Sequence, residues 1–122
     1  MNTRMLGILA GMALMGCGGN ERARAVCEGL IDDAFKRYEE ALAPCVNASE
    51  EAGFLRRYTR NLDRCEDTLG DRCVEDELAQ LEQFGECLKA IPQCVPSSPD
   101  AFLRATESCQ QELEDVRTEC QW

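Results

Sequence analysis

The chain has 122 residues, 23 acids against 13 bases and no histidine, for a net charge of −10. That balance argues against nucleic acid and against adhesion to anionic lipid headgroups, both of which reward basic surfaces. The missing imidazole excludes triad hydrolysis and histidine-ligated zinc, and 6% aromatic residues give a thin core for this length.

Residues 1–16 read as an export signal. Arg4 supplies a positive n-region, and Met5 to Met15 is an almost unbroken apolar run. About a dozen apolar residues are too few to span a bilayer as a permanent helix. The run ends in Leu14-Met15-Gly16-Cys17, then Gly18-Gly19-Asn20.

This tetrapeptide resembles the lipobox of bacterial lipoproteins, with Leu three positions before the cysteine and a small residue directly before it. Met15 departs from the small residue usual in that family. The resemblance implies lipid on the Cys17 thiol, cleavage before Cys17 and acylation of the new amine. Several acyl chains anchor stably where one does not. It also implies an exported protein facing the periplasm or the cell surface. Asn20, with no acid directly after Cys17, favours the outer membrane by resemblance to enterobacterial sorting. The implied organisation is a signal peptide (1–16), a lipidated tether (17–20) and a Cys-rich helical domain (21–122). The mature chain would carry 12 bases and 23 acids.

In the domain, Ala23, Val26/Cys27, Leu30/Ile31, Ala34/Phe35, Tyr38 and Ala41/Leu42 fall at helical spacing, and Pro44 marks the end. Asn47 with Glu50 reads as a capping box. It opens a second helix with Phe54/Leu55, Tyr58, Leu62, Cys65 and Leu69 inside and Gly70 closing it. Asp71 is expected to cap a third helix bearing Val74, Leu78, Leu81, Phe84, Cys87/Leu88 and Ile91, stopped by Pro92. Ser98-Pro99-Asp100 starts a fourth, with Phe102, Ala105, Cys109, Val116 and Cys120 on one stripe and Leu113 beside it. No stretch alternates as a strand does. A short likeness between the halves joins Cys45-Val46 and Phe54-Leu55-Arg56 to Cys94-Val95 and Phe102-Leu103-Arg104. The expected fold is all-α: an antiparallel four-helix bundle of two hairpins, with helices of roughly 18 to 22 residues joined by short connections.

Apart from Cys17 there are eight cysteines, an even set that reads first as a disulfide framework in an exported small domain. At 100° per residue, Cys27 and Cys45, Cys73 and Cys87, and Cys109 and Cys120 each return to one side of a helix. Cysteines equally far from the turn of an antiparallel hairpin face each other. That gives Cys27–Cys65 in the first hairpin, with Cys73–Cys120 and Cys87–Cys109 in the second. Cys45 and Cys94 are left for each other, one in each inter-helix turn. In the chain-entropy account a closed loop of roughly 20 to 50 residues contributes about 3–4 kcal/mol.

Chemistry is sparse. There is no Gly-rich phosphate loop and no CxxC, so thioredoxin-type exchange is not expected. Glu75-Asp76-Glu77 and Glu112/Glu114/Asp115 lack calcium-loop spacing and read as solvated helix faces. Asn47-Ala48-Ser49 matches a glycosylation sequon, which is discounted for a bacterial chain. Arg56, Arg60 and Arg64 form an i, i+4, i+8 stripe on the second helix, with Arg57 beside it. The stripe reads as pairing with acidic neighbours or as a dock for an anionic group or partner.

The expectation is a non-enzymatic binding or structural module of the cell envelope, without cofactor or metal, whose partners are the membrane through Cys17 and an unidentified envelope protein, not nucleic acid. A cysteine-lined bundle also resembles exported copper-storage bundles that hold Cu(I) by thiolates. This chain departs from them in having no CxxxC pair and no histidine. A protease-resistant effector or inhibitor-like module is a third reading.

Overall fold

The computed structural model describes residues 21–45, Leu55, Tyr58 and 60–122. The lipobox, Cys17, the Asn47 and Glu50 capping box, the sequon and Arg56 and Arg57 lie outside the described residues. The described part is mostly helical, with four helical stretches and no strand. We label them α1 (residues 21–42), α2 (Leu62–Arg72), α3 (Glu75–Ala90) and α4 (Asp100–Gln110).

The first stretch is not a uniform α-helix. Gly29–Ala34 forms a π-turn, closed by the Phe35 N–H donating to the Leu30 carbonyl, before α-geometry resumes over Phe35–Leu42. The buried residues explain it. Ala23, Cys27, Ile31 and Phe35 form one row and Val26, Leu30, Ala34 and Tyr38 another, each stepping by four. In an α-helix a four-residue step overshoots a full turn by about 40°, so three steps drift by about 120°. The wider π-turn absorbs that drift and keeps both rows on the core.

The remaining helices are shorter than the apolar spacing suggests, for identifiable reasons. In α2, Asn61 is the cap: its Oδ1 accepts the Arg64 N–H at 3.0 Å. Gly70 and Asp71 lie inside α2, which runs on to Arg72, so neither closes one helix nor caps the next. Val74 precedes α3, and the Glu77 carboxylate reaches back to accept the Val74 N–H at 3.0 Å. Pro99 precedes α4, so the expected Ser98 cap shifts by one residue. Beyond Gln110 the chain leaves α-geometry. It continues as two short 3₁₀ turns, Gln111–Leu113 and Thr118–Cys120, which carry Leu113 and Cys120 with Val116 between them.

One core joins these elements. Phe35, Tyr38, Leu30, Leu69, Leu81, Phe84 and Leu88 are at most 1% exposed. Gly85 sets how closely α3 approaches the π-turn: a Cβ there would stand 3.2 Å from Leu30 Cδ2. Two buried polar groups are satisfied inside. The Tyr38 hydroxyl lies 3.2 Å from Thr106 Oγ1, which in turn donates to the Phe102 carbonyl at 3.0 Å. Burial pushes the Tyr38 phenol above its usual pKa.

Candidate functional site

The eight cysteines of the domain are brought together in four bridges: Cys27–Cys65, Cys45–Cys94, Cys73–Cys120 and Cys87–Cys109. Their Cα–Cα distances are 6.0, 5.9, 4.8 and 5.5 Å. Three of these are the pairs that equal distance from the hairpin turns gives, and Cys45–Cys94 is the pair left over in the inter-helix turns. Cys27 and Cys65 are fully buried, and Cys45 and Cys94 nearly so. Cys73 and Cys87 are only partly covered, while Cys120 and Cys109 are buried. Bridges of this number belong to an oxidising, extracytoplasmic compartment.

The arginine stripe is not laid out as the spacing implies. Arg60 precedes α2, so it shares no helix face with Arg64, which lies in the first turn. Arg60 bonds to Glu39 and stands over the Phe35 ring, 4.9 Å from its centroid. That placement serves the pairing reading of this residue. The Phe35 ring also meets Tyr58 at 5.9 Å and Trp122 at 6.3 Å, and Tyr58 meets Trp122 at 5.0 Å.

The acidic run at the start of α3 also departs from expectation. Glu75 and Asp76 are exposed, but Glu77 is only 5% exposed. Its carboxylate accepts the Val74 N–H, the Arg117 N–H at 2.9 Å and the Arg117 guanidinium at 2.8 Å. The Arg117 side chain holds the Glu77 carboxyl down at about 2, and the two backbone donors add to that against burial. Arg117 also donates to the Arg72 carbonyl at 2.9 Å. The carboxylate thus ties the start of α3 to the C-terminal segment, and through Arg117 to the end of α2. A run of three acids conceals which of them turns inward. Glu77 stands three residues after the Val74 N–H that it accepts, and that capping offset was the available signal.

A groove of about 280 Å³ runs between the π-turn and α3, open where Gly29 carries no side chain, with Gly85 also in its lining. Val26, Leu30 and Leu81 supply apolar lining and Glu82 lies beside them. Arg22 bonds to both Glu75 and Glu82, and Lys89 bonds to Asp33 and Glu86, so the charges near the groove are already paired. A wider depression of about 560 Å³ lies over Val74, Glu77 and Arg117. Among the described residues no group of three or more histidine, cysteine, aspartate or glutamate side chains is placed to hold a metal ion. No helix among them is long and apolar enough to cross a membrane.

Comparison with family models, with curated proteins and with solved structures finds no match for this chain. Its functional reading therefore rests on its own residues.

Proposed function

We propose that the chain is a bacterial lipoprotein, cut before Cys17 and held by lipid on that cysteine, with the outer membrane favoured. Its stapled domain is a non-enzymatic binding or structural module of the cell envelope. The observation that carries this reading is the pairing of all eight domain cysteines with one another, which leaves Cys17 of the lipobox as the ninth and the one available for thioether chemistry. Four bridges add rigidity that a thin core lacks, and a rigid scaffold lowers the ordering cost of binding.

Contact order along the chain supports two antiparallel hairpins. Rising positions in α1 meet falling positions further on: Arg24 with Glu66, Cys27 with Cys65, Glu39 with Arg60. The same holds for Cys73 with Cys120, Glu77 with Arg117 and Cys87 with Cys109. Copper(I) binding by thiolates would require these bridges to be open, so it finds no support here.

The test is the mass of the N-terminal peptide from the mature protein, with fractionation of the C17S variant. Two or three acyl groups on Cys17, together with release of C17S from the membrane, are the expected result. A mature chain that starts elsewhere, or an unmodified Cys17 thiol, would sink the reading.

A further inference from the structure

We infer that the Cys73–Cys120 bridge is a thiol–disulfide exchange site, opened by a dithiol reductant of the envelope, and that its opening frees the C-terminal strap. The inference rests on the bridges and not on the lipid anchor.

Two bridges contain a partly covered residue, Cys73 in one and Cys87 in the other, whereas both cysteines of the other two bridges are buried. Exchange needs access for an attacking thiolate. The two accessible bridges differ in what surrounds them. Cys87 and Cys109 lie within α3 and α4, helices that keep their backbone bonds and their packing without a bridge. Exposed Glu86, next to Cys87, is paired with Lys89, so backbone context rather than charge sets the two bridges apart. Cys73 lies in the two-residue link between α2 and α3. Exposed Arg72 precedes it, and Arg117, paired with Glu77, donates to the Arg72 carbonyl.

The exchange is balanced. A reductant thiolate attacks Cys73 Sγ, a mixed disulfide forms, and the Sγ–Sγ bond breaks with its electron pair leaving on Cys120 Sγ, which takes a proton. The reductant's second thiol loses its proton and attacks its own sulfur in the mixed disulfide. Its internal disulfide closes, and Cys73 leaves as a thiolate that takes a proton. Two electrons and two protons pass from the dithiol to the bridge.

The strap, residues 111–122, is fastened at Cys120, at Arg117 and by Trp122, stacked on Phe35 and tilted against Tyr58. Trp122 lies two residues beyond Cys120, so opening the bridge removes the fastening nearest to it. The aromatic face of Phe35 and Tyr58, next to Arg60, is then uncovered.

The test is graded reduction of the oxidised full-length protein by dithiothreitol, with iodoacetamide quenching, peptide mapping and fluorescence of Trp122, the single tryptophan. Expected is alkylation of Cys73 and Cys120 before any other bridged cysteine, with a red shift of Trp122 emission and helical circular dichroism retained. Opening of Cys87–Cys109 first, reduction of all bridges in one step, or unmoved Trp122 emission after Cys73–Cys120 opens would each overturn it. The Cys73→Ala/Cys120→Ala variant is expected to show the shifted emission without reductant, and Cys87→Ala/Cys109→Ala the native emission. If the first variant fails to fold, graded reduction of the unaltered chain decides alone.

Discussion

The face that α1 shares with α3 and the strap of residues 111–122 are held to the domain by different forces. Along α1 the contact is apolar and repetitive, with two rows of buried side chains and Gly85 drawing α3 against Leu30. The strap adds fewer apolar groups, with Val116 buried and Leu113 packed beside the core. It is held by a bridge at Cys120, a buried carboxylate under Arg117 and one tryptophan. Removing a single group from the first region thins a contact that many atoms share. Removing one from the second takes away one of a few separate fastenings.

The largest expected effect separates the bridges of the two regions. By loop length Cys27–Cys65 and Cys73–Cys120, with separations of 38 and 47 residues, are each worth about 4 kcal/mol in the chain-entropy account. Replacing Cys27 and Cys65 by alanine is expected to remove stability of that size from the whole domain, and to empty two fully buried positions as well. Replacing Cys73 and Cys120 is expected to show first as loss of hydrogen-exchange protection confined to residues 111–122. Denaturant midpoints and exchange maps of both double variants check this. Protection lost evenly over the whole domain in both variants, with none confined to residues 111–122, would erase the distinction between the regions.

Next in size is Glu77→Gln. It leaves the backbone donors of Val74 and Arg117 a weaker acceptor and removes the charge opposite the guanidinium, for an expected loss of about 2 kcal/mol. The pH dependence has a definite sign. The Glu77 carboxyl titrates at about 2 in the folded chain against an ordinary value of 4.5. Its contribution is therefore complete above pH 4.5 and is lost as pH falls from there through about 2. Acid titration of strap stability, read from Trp122 emission, is expected to show this loss in the unaltered chain and not in Glu77→Gln. An identical acid profile for both would mean that another carboxylate fastens the strap.

The same contrast explains what was legible beforehand. Apolar period and cysteine spacing reveal where helices pack, because packing imposes a repeat on the sequence. The four helical stretches and the cysteine pairs belong to that class. The strap does not. Val116 and Cys120 fall on the α4 stripe by count, yet the chain leaves the α-helix after Gln110, since a bridge and an ion pair hold them at no fixed period. Helix ends were also misplaced. Asp71 has the right chemistry for a cap, but Glu77 reaches the Val74 N–H and starts α3 later. The π-turn left a trace, the four-residue step of both buried rows, which ordinary helical spacing tolerates without announcing.

Gly85→Ala probes the apolar contact at its tightest point. Alanine gains about 1 kcal/mol of helix propensity over glycine. Its methyl would stand 3.2 Å from Leu30 Cδ2, the far end of a flexible side chain. If Leu30 gives way by a few tenths of an ångström, stability rises by up to about 1 kcal/mol; a valine there adds two methyl groups to the same gap and is expected to be destabilising by about 1–3 kcal/mol. Thermal unfolding of both variants measures how rigid the π-turn is.

The smallest effect is expected at Arg60→Ala. Arg60 is 41% exposed and its pair Glu39 55%, so their ion pair is screened and contributes at most about 1 kcal/mol. Its stacking over Phe35 is worth about as much. The two do not add in full, because one guanidinium holds both contacts in one geometry. A double-mutant cycle with Glu39→Ala separates them, since the ion pair is lost in either variant and the ring contact only with Arg60. Salt separates them too: the Glu39 part weakens as ionic strength rises, and the Phe35 part weakens less. If Arg60→Ala leaves stability unchanged at every salt concentration, pairing does not occupy this arginine, and the anionic-dock reading of Arg60 and Arg64 gains the group it needs.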